Sequence, residues 1–119
     1  MNIMIVDDSR TIRNFLKNIL QESGYNVCSA EDGLDALEKL KMFDPNIIIT
    51  DLNMPRMGGL ELVKKLRSGP KTQYLPILFL TTEGGAEVRK KGRESGATGW
   101  LLKPFNAERL LETIERVLP

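Results

Sequence analysis

Five residues of this chain are of types that could do chemistry together: the adjacent pair Asp7-Asp8, then Asp51, Thr81 and Lys103. Each stands where a short apolar run stops. Ile3-Met4-Ile5-Val6 precedes Asp7, Ile47-Ile48-Ile49-Thr50 precedes Asp51, Pro76 to Leu80 precedes Thr81, and Gly99-Trp100-Leu101-Leu102 precedes Lys103. Runs rich in β-branched residues read as strands buried on both faces of a parallel sheet. In open α/β sheets the carboxyl ends of such strands are where ligands bind. If strands one and three are neighbours, the three carboxylates converge. Close carboxylates repel unless something neutralises them. An all-oxygen acidic pocket suits a hard cation, and Mg²⁺ takes one or two carboxylates together with phosphate oxygens. Asp51 could then attack a phosphoryl group, with Thr81 donating a hydroxyl hydrogen bond and Lys103 supplying a compensating point charge. The product would be an acyl phosphate on Asp51.

Composition narrows the chemistry further. The chain has 119 residues and no histidine, so a Ser-His or Cys-His pair and a histidine metal site are excluded. Its single cysteine, Cys28, rules out an internal disulfide and fits a reducing cytoplasm. The formal net charge is +1, which creates no general attraction for nucleic acid or an anionic membrane. No apolar run approaches the roughly 20 residues of a membrane span, and no signal-peptide layout opens the chain. A cytoplasmic single domain over residues 1–119 is expected.

The elements that must position these residues alternate along the chain. Ile12, Phe15, Leu16, Ile19 and Leu20 mark one face of a first helix, stopped by Gly24. Tyr25 to Ala30 reads as a short second strand, and Leu34, Leu37 and Leu40 mark a second helix ending before Asp44-Pro45. After the Asp51 strand and the Met57-Gly58-Gly59 loop, Leu62, Val63 and Leu66 mark a third helix. A weak fourth helix runs from Ala86 to Ser95, with Val88 its one large apolar residue among Arg89, Lys90, Lys91 and Arg93. Gly84-Gly85 suggests a loose start to it. The last helix carries Ala107, Leu110, Leu111, Ile114 and Val117, with Asn106 placed to cap it. Five alternations with short connections give an α/β fold: a doubly wound (βα)5 parallel sheet with helices on both faces.

With these residues in view the chain resembles a response-regulator receiver domain, of the stand-alone, CheY-like chemotaxis type. The resemblance rests on Asp7-Asp8, Thr50-Asp51-Leu52-Asn53-Met54-Pro55, Thr81-Thr82-Glu83 and Gly99-Trp100-Leu101-Leu102-Lys103-Pro104-Phe105. It implies the flavodoxin-like strand order 2-1-3-4-5. It further implies that Asp51 is the phosphoacceptor, and that Asp8, Asp51 and the backbone carbonyl of Asn53 hold Mg²⁺, or alternatively Mn²⁺, with Asp7 acting through a water. Thr81 and Lys103 would read the phosphoryl group, and Lys103-Pro104 would be a cis peptide. Thr81 and Trp100 would form the switch pair, although receivers usually carry Tyr, Phe or His where Trp100 stands. Asn53 and Glu83 would tune hydrolysis. A partner histidine kinase would be the phosphodonor, and a flagellar motor switch protein or other output protein the target, with a phosphatase as a further partner. A monomer that binds neither nucleic acid nor membrane is expected, one that turns over no substrate beyond its own phosphorylation and dephosphorylation.

Other readings compete. Asp7-Asp8 alone could cap helix one, and Lys103 alone could be a solvated charge. The chain could be a phosphorelay intermediate, or a receiver excised from a larger transcription regulator. A haloacid-dehalogenase-type phosphatase would need a second aspartate two residues beyond the nucleophile, where Asn53 stands. A flavin protein would meet phosphate repulsion from Asp7-Asp8. The basic run from Arg89 to Arg93 reads either as a solvated helix face or as a docking surface for an acidic segment.

Overall fold

A computed structural model of the chain describes residues 1–82 and 84–118. Among these, strand and helix alternate five times: β1 Asn2–Val6, α1 Arg10–Glu22, β2 Asn26–Ala30, α2 Gly33–Lys39, β3 Ile47–Asp51, α3 Gly59–Arg67, β4 Ile77–Thr81, α4 Ala86–Ser95, β5 Gly99–Leu102 and α5 Ala107–Val117. The strands form one parallel sheet in the order β2-β1-β3-β4-β5. The winding reverses between β1 and β3, which opens a crevice at their carboxyl ends.

Period-two alternation divides each strand between two cores. Ile3, Ile5, Ile47, Ile49, Leu78, Leu80 and Leu101 pack against Leu16 and Leu20 of α1 and Leu110 and Ile114 of α5. Met4, Val6, Ile48, Ile77 and Phe79 face Ala36 of α2 and Leu62, Val63 and Leu66 of α3. Both faces of the central strands are therefore covered, as their unbroken apolar runs require. Each fully buried Ile or Leu side chain contributes roughly 1.5–3 kcal/mol.

Local signals set the element ends. Ser9, not Asp7 or Asp8, is the N-cap of α1, its Oγ accepting the Ile12 N–H at 3.3 Å. The reading of the acidic pair as helix caps is thus replaced: Asp7 instead accepts the Ser9 N–H at 2.8 Å. Gly24 takes φ +92° just past the end of α1, the left-handed turn a glycine there permits. Asn106 caps α5 by accepting the Arg109 N–H at 2.8 Å. Pro76 stays outside β4 because it has no N–H to pair, although its carbonyl accepts the Ile48 N–H at 3.0 Å.

Two residues assigned to apolar stripes are less than fully covered. Phe15 is 45% exposed at the edge of the α1 stripe, where its ring meets Phe105 at 6.0 Å. Leu34 is 43% exposed because α2 has only 7 residues and buries Gly33 and Ala36 instead. Helix α4 is held mainly at its C-terminal end. Its N-cap, Gly85, makes no side-chain cap bond, whereas Gly96 (φ +107°) closes the other end and the Ala97 N–H reaches Gly92 O at 3.2 Å. Gly84 packs against Leu102, where an added Cβ would come within 2.8 Å of the leucine Cδ2.

Candidate active site

Sheet register brings the chemical residues to one edge. Val6 pairs with Thr50, Asp51 with Leu80 and Thr81 with Leu102. Asp7, Asp51, Thr81 and Lys103 therefore end or follow adjacent strands β1, β3, β4 and β5. One carboxylate oxygen from each of Asp7, Asp8 and Asp51 lies within 4.8 Å of the other two. Asp7 is buried, Asp51 half-buried and Asp8 exposed, so the cluster opens to solvent on the Asp8 side.

Lys103 is the cation that faces this cluster. Its Nζ is 3.2 Å from Asp7 Oδ2 and 3.6 Å from Asp51 Oδ2. The Lys103 N–H donates to Thr81 O at 2.8 Å, which fixes the start of the β5–α5 turn beside β4. The Lys103–Pro104 peptide is cis. On the β1 side, the Arg13 guanidinium donates to the Asp7 carbonyl at 2.6 Å and the Ser9 N–H to its Oδ1. Asp7 is thus held by three residues, Ser9 and Arg13 at the start of α1 and Lys103 after β5.

Asp51 accepts the N–H of Leu52 on Oδ1 at 2.8 Å. Burial pushes its pKa above the ordinary carboxylate value, and the charges of Asp7 and Asp8 push the same way. The Lys103 ammonium and the Leu52 N–H oppose them without prevailing. Asp51 is consequently a carboxylate that one ammonium leaves under-compensated. Three carboxylates are a hard oxygen donor set, which fits a divalent cation that retains water ligands.

The other site residues expected from the sequence fall as follows. Thr81 is buried at the end of β4, and Asn53 is exposed on the β3–α3 loop, two residues beyond Asp51. Trp100 sits on β5 opposite Phe79, with ring centroids 5.3 Å apart in an edge-to-face arrangement. Strand alternation puts Phe79, Thr81, Trp100 and Leu102 on the same side of the sheet. The half-buried indole lines a hollow of about 150 Å³ with Arg89, Arg93, Ala97, Thr98 and Gly99. Glu83, expected to tune hydrolysis, lies outside the described residues.

Three contacts were not anticipated. Arg13 has no sequence signal beyond its helical position. Ser9 had one, a hydroxyl directly before the apolar period. The third is an ion pair between Arg56 and Asp32, residues 24 apart, with Nε to Oδ2 at 2.6 Å and Nη2 to Oδ1 at 3.0 Å. The guanidinium holds the Asp32 carboxyl below its ordinary pKa.

The chain is thus a doubly wound α/β protein with a carboxylate cluster and an ammonium at the switch point of its parallel sheet. Residues 3–115 match the response regulator receiver domain, and the chain belongs to that family. It is 43% identical over 120 residues to the chemotaxis protein CheY1 of Helicobacter pylori, covering 99% of this chain and 97% of that protein. It is 39% identical to the chemotaxis protein CheY-3 of Vibrio cholerae, covering 98% and 91%. The solved structure of the chemotaxis response regulator CheY4 of Vibrio cholerae superposes with a TM-score of 0.94 at 47% identity, covering 98% of both chains. The strand order and helix placement of this CheY-like fold are those described above. Receiver domains are signalling proteins that bind Mg²⁺ at an acidic pocket, and this chain has an acidic cluster at Asp7, Asp8 and Asp51.

Proposed function

We propose that residues 1–119 form a single receiver domain acting as a chemotaxis response regulator, phosphorylated on Asp51 by a partner histidine kinase. The observation that carries this reading is the convergence of Asp7, Asp8 and Asp51 within 4.8 Å, faced by Lys103. Asp8, Asp51 and the Asn53 carbonyl would hold Mg²⁺, with Asp7 reaching it through water. When bound, the cation neutralises charge on the transferring phosphoryl group. An Asp51 carboxylate oxygen attacks phosphorus, the P–N bond of the donor phosphohistidine breaks, and the imidazole leaves with its electron pair. Lys103 balances the added negative charge, and the Thr81 hydroxyl donates to a phosphoryl oxygen. Attack of water on phosphorus then returns the carboxylate and releases inorganic phosphate. Asn53 lines the path of that water.

The output side of the proposal rests on α4. Its exposed face carries Arg89, Lys90, Lys91 and Arg93, and two of these arginines flank Trp100 in the hollow between α4 and β5. Such a surface suits a target with an acidic segment, as a motor switch protein of the chemotaxis apparatus would supply. Thr81 and Trp100, on one side of adjacent strands, would couple the phosphoryl group to this face. These roles would be exercised in the cytoplasm.

Incubation with acetyl phosphate and Mg²⁺ followed by intact mass measurement tests the reading. The wild type is expected to gain the mass of one phosphoryl group and Asp51→Asn none. Equal gain in both, or gain in neither, overturns it.

A further inference from the structure

Arg56 is the one non-glycine residue with positive φ among the described residues, at +64°. Left-handed backbone crowds the Cβ of an L-residue against the next carbonyl, so such a position is ordinarily given to glycine or asparagine. What Arg56 gains there is the two-point grip on Asp32, whose side chain is 2% exposed. Asp32 does not need that grip to cap α2, because its Oδ1 already accepts the Asp35 N–H at 2.9 Å. The ion pair therefore has some use other than helix capping.

Two neighbouring contacts act in the same direction. The Gly33 N–H donates to Met57 O at 3.0 Å. The buried Met57 side chain seats on Gly33, where an added Cβ would fall 2.6 Å from the methionine Cγ. Together the three contacts fasten residues 56–57 to the first turn of α2. The other end of the loop is fastened at Leu52, which is buried, gives its N–H to Asp51 and takes the Gly59 N–H at 2.9 Å. Between these two anchors lies only Asn53-Met54-Pro55. A three-residue span tied at both ends has little conformational freedom left to lose when one of its carbonyls takes a ligand.

We propose that Arg56 is a positioning residue for the cation site, acting through the Asn53 carbonyl by latching the β3–α3 loop to the N-terminus of α2. This rests on the reading of that carbonyl as a metal ligand. Partners bonded directly to a metal ligand typically change metal affinity by roughly 10–100-fold when lost, and Arg56, which acts through the loop, belongs at the low end of that range. The latch is a contact to the corner of a helix that itself contributes nothing to the acidic cluster.

The experiment is a calorimetric titration of Mg²⁺ into four proteins: wild type, Arg56→Gly, Asp32→Asn and the double variant. Glycine adopts the +64° backbone without strain, so the turn survives while the guanidinium is removed. Asparagine keeps the cap and removes the charge. The Kd for Mg²⁺ is expected to rise roughly tenfold in each single variant, and the double variant to bind no more weakly than the worse single one. Melting of the cation-free proteins is measured alongside. A lowered melting temperature with an unchanged Kd shows an ion pair that only stabilises the fold and overturns the proposal. So do effects that simply add in the double variant. Failure of the wild type itself to bind Mg²⁺ sinks the site reading as well, and the wild-type titration separates that outcome from the others.

Discussion

Gly92 and Trp100 compete for one space: a Cβ placed on Gly92 would lie 2.4 Å from Cζ3 of the indole. The large aromatic ring is accommodated because the facing helical position has no side chain. Gly92→Ala gains about 1 kcal/mol of helix propensity but overpacks the contact at a cost of roughly 1–3 kcal/mol. The ring can relieve the clash by swinging toward the adjoining hollow lined by Arg89 and Arg93. A net destabilisation of about 1 kcal/mol is expected, with tryptophan emission shifted to longer wavelength. Denaturant melts and a fluorescence spectrum check both. An unshifted spectrum would show the ring to be immovable.

Gly59 backs Asp51, the proposed phosphoacceptor. A Cβ there would come within 2.3 Å of Asp51 O and 2.7 Å of Phe79 Cε1. The first is a backbone atom at the end of a buried strand and cannot step aside without moving Asp51. Gly59→Ala is expected to cost about 2–3 kcal/mol by thermal denaturation and to slow phosphorylation by acetyl phosphate. Wild-type stability would show that the α3 start shifts freely.

The elevated pKa of Asp51 makes the site a stability cost at neutral pH. In the folded protein Asp51 binds its proton more tightly than in the unfolded chain, where the ordinary value of 3.8 applies. The folded state then holds more protons between 3.8 and the raised value, so this contribution falls as pH rises through that window and is lowest above it. Asp51→Asn is expected to raise stability by on the order of 1 kcal/mol at pH 7. The gain should vanish as pH approaches 3.8, where the wild-type carboxyl is itself protonated. Added Mg²⁺ should raise the melting temperature of the wild type and leave that of the variant nearly unchanged. Melting curves across pH, with and without Mg²⁺, decide the matter. Asp32 has the opposite sign: its lowered pKa contributes stability above 3.8 that is lost as pH falls through the folded value.

Arg67 ties α4 to the body of the protein. Its guanidinium donates to Gly96 O and Thr72 O, both at 2.9 Å, and no carboxylate is its partner in these bonds. Burial lowers its pKa for that reason. Arg67→Ala leaves two carbonyls short of a donor, at a cost of roughly 2 kcal/mol. Faster amide exchange is expected in the turn from α4 to β5 than in α1, because the α4 N-terminus has no side-chain cap to compensate. Uniform acceleration through the whole chain would instead mean that α4 unfolds only with the rest.

The alternation of elements, the two-faced burial of β3 and the acidic strand ends were legible in the chain itself. They follow from local rules: β-branched runs make buried strands, three-and-four spacing makes amphipathic helices, and polar residues stand where strands stop. The family motifs added the strand order, which local rules alone leave open. The chain did not disclose the partners that fold-wide geometry chose. Arg56 finds Asp32 across 24 positions, Arg13 turns back to the Asp7 carbonyl, and Trp100 settles against Gly92. Phe15 and Leu34 obeyed the helical period yet stayed partly exposed, because helix length and sheet edge, not periodicity, set what a core can cover. Periodicity is a property of neighbours in sequence, and so it can be read directly. Ion-pair choice, close approach and the charge balance at Asp51 depend on distances between segments that meet only after the sheet has closed. Those were decided by the tertiary structure.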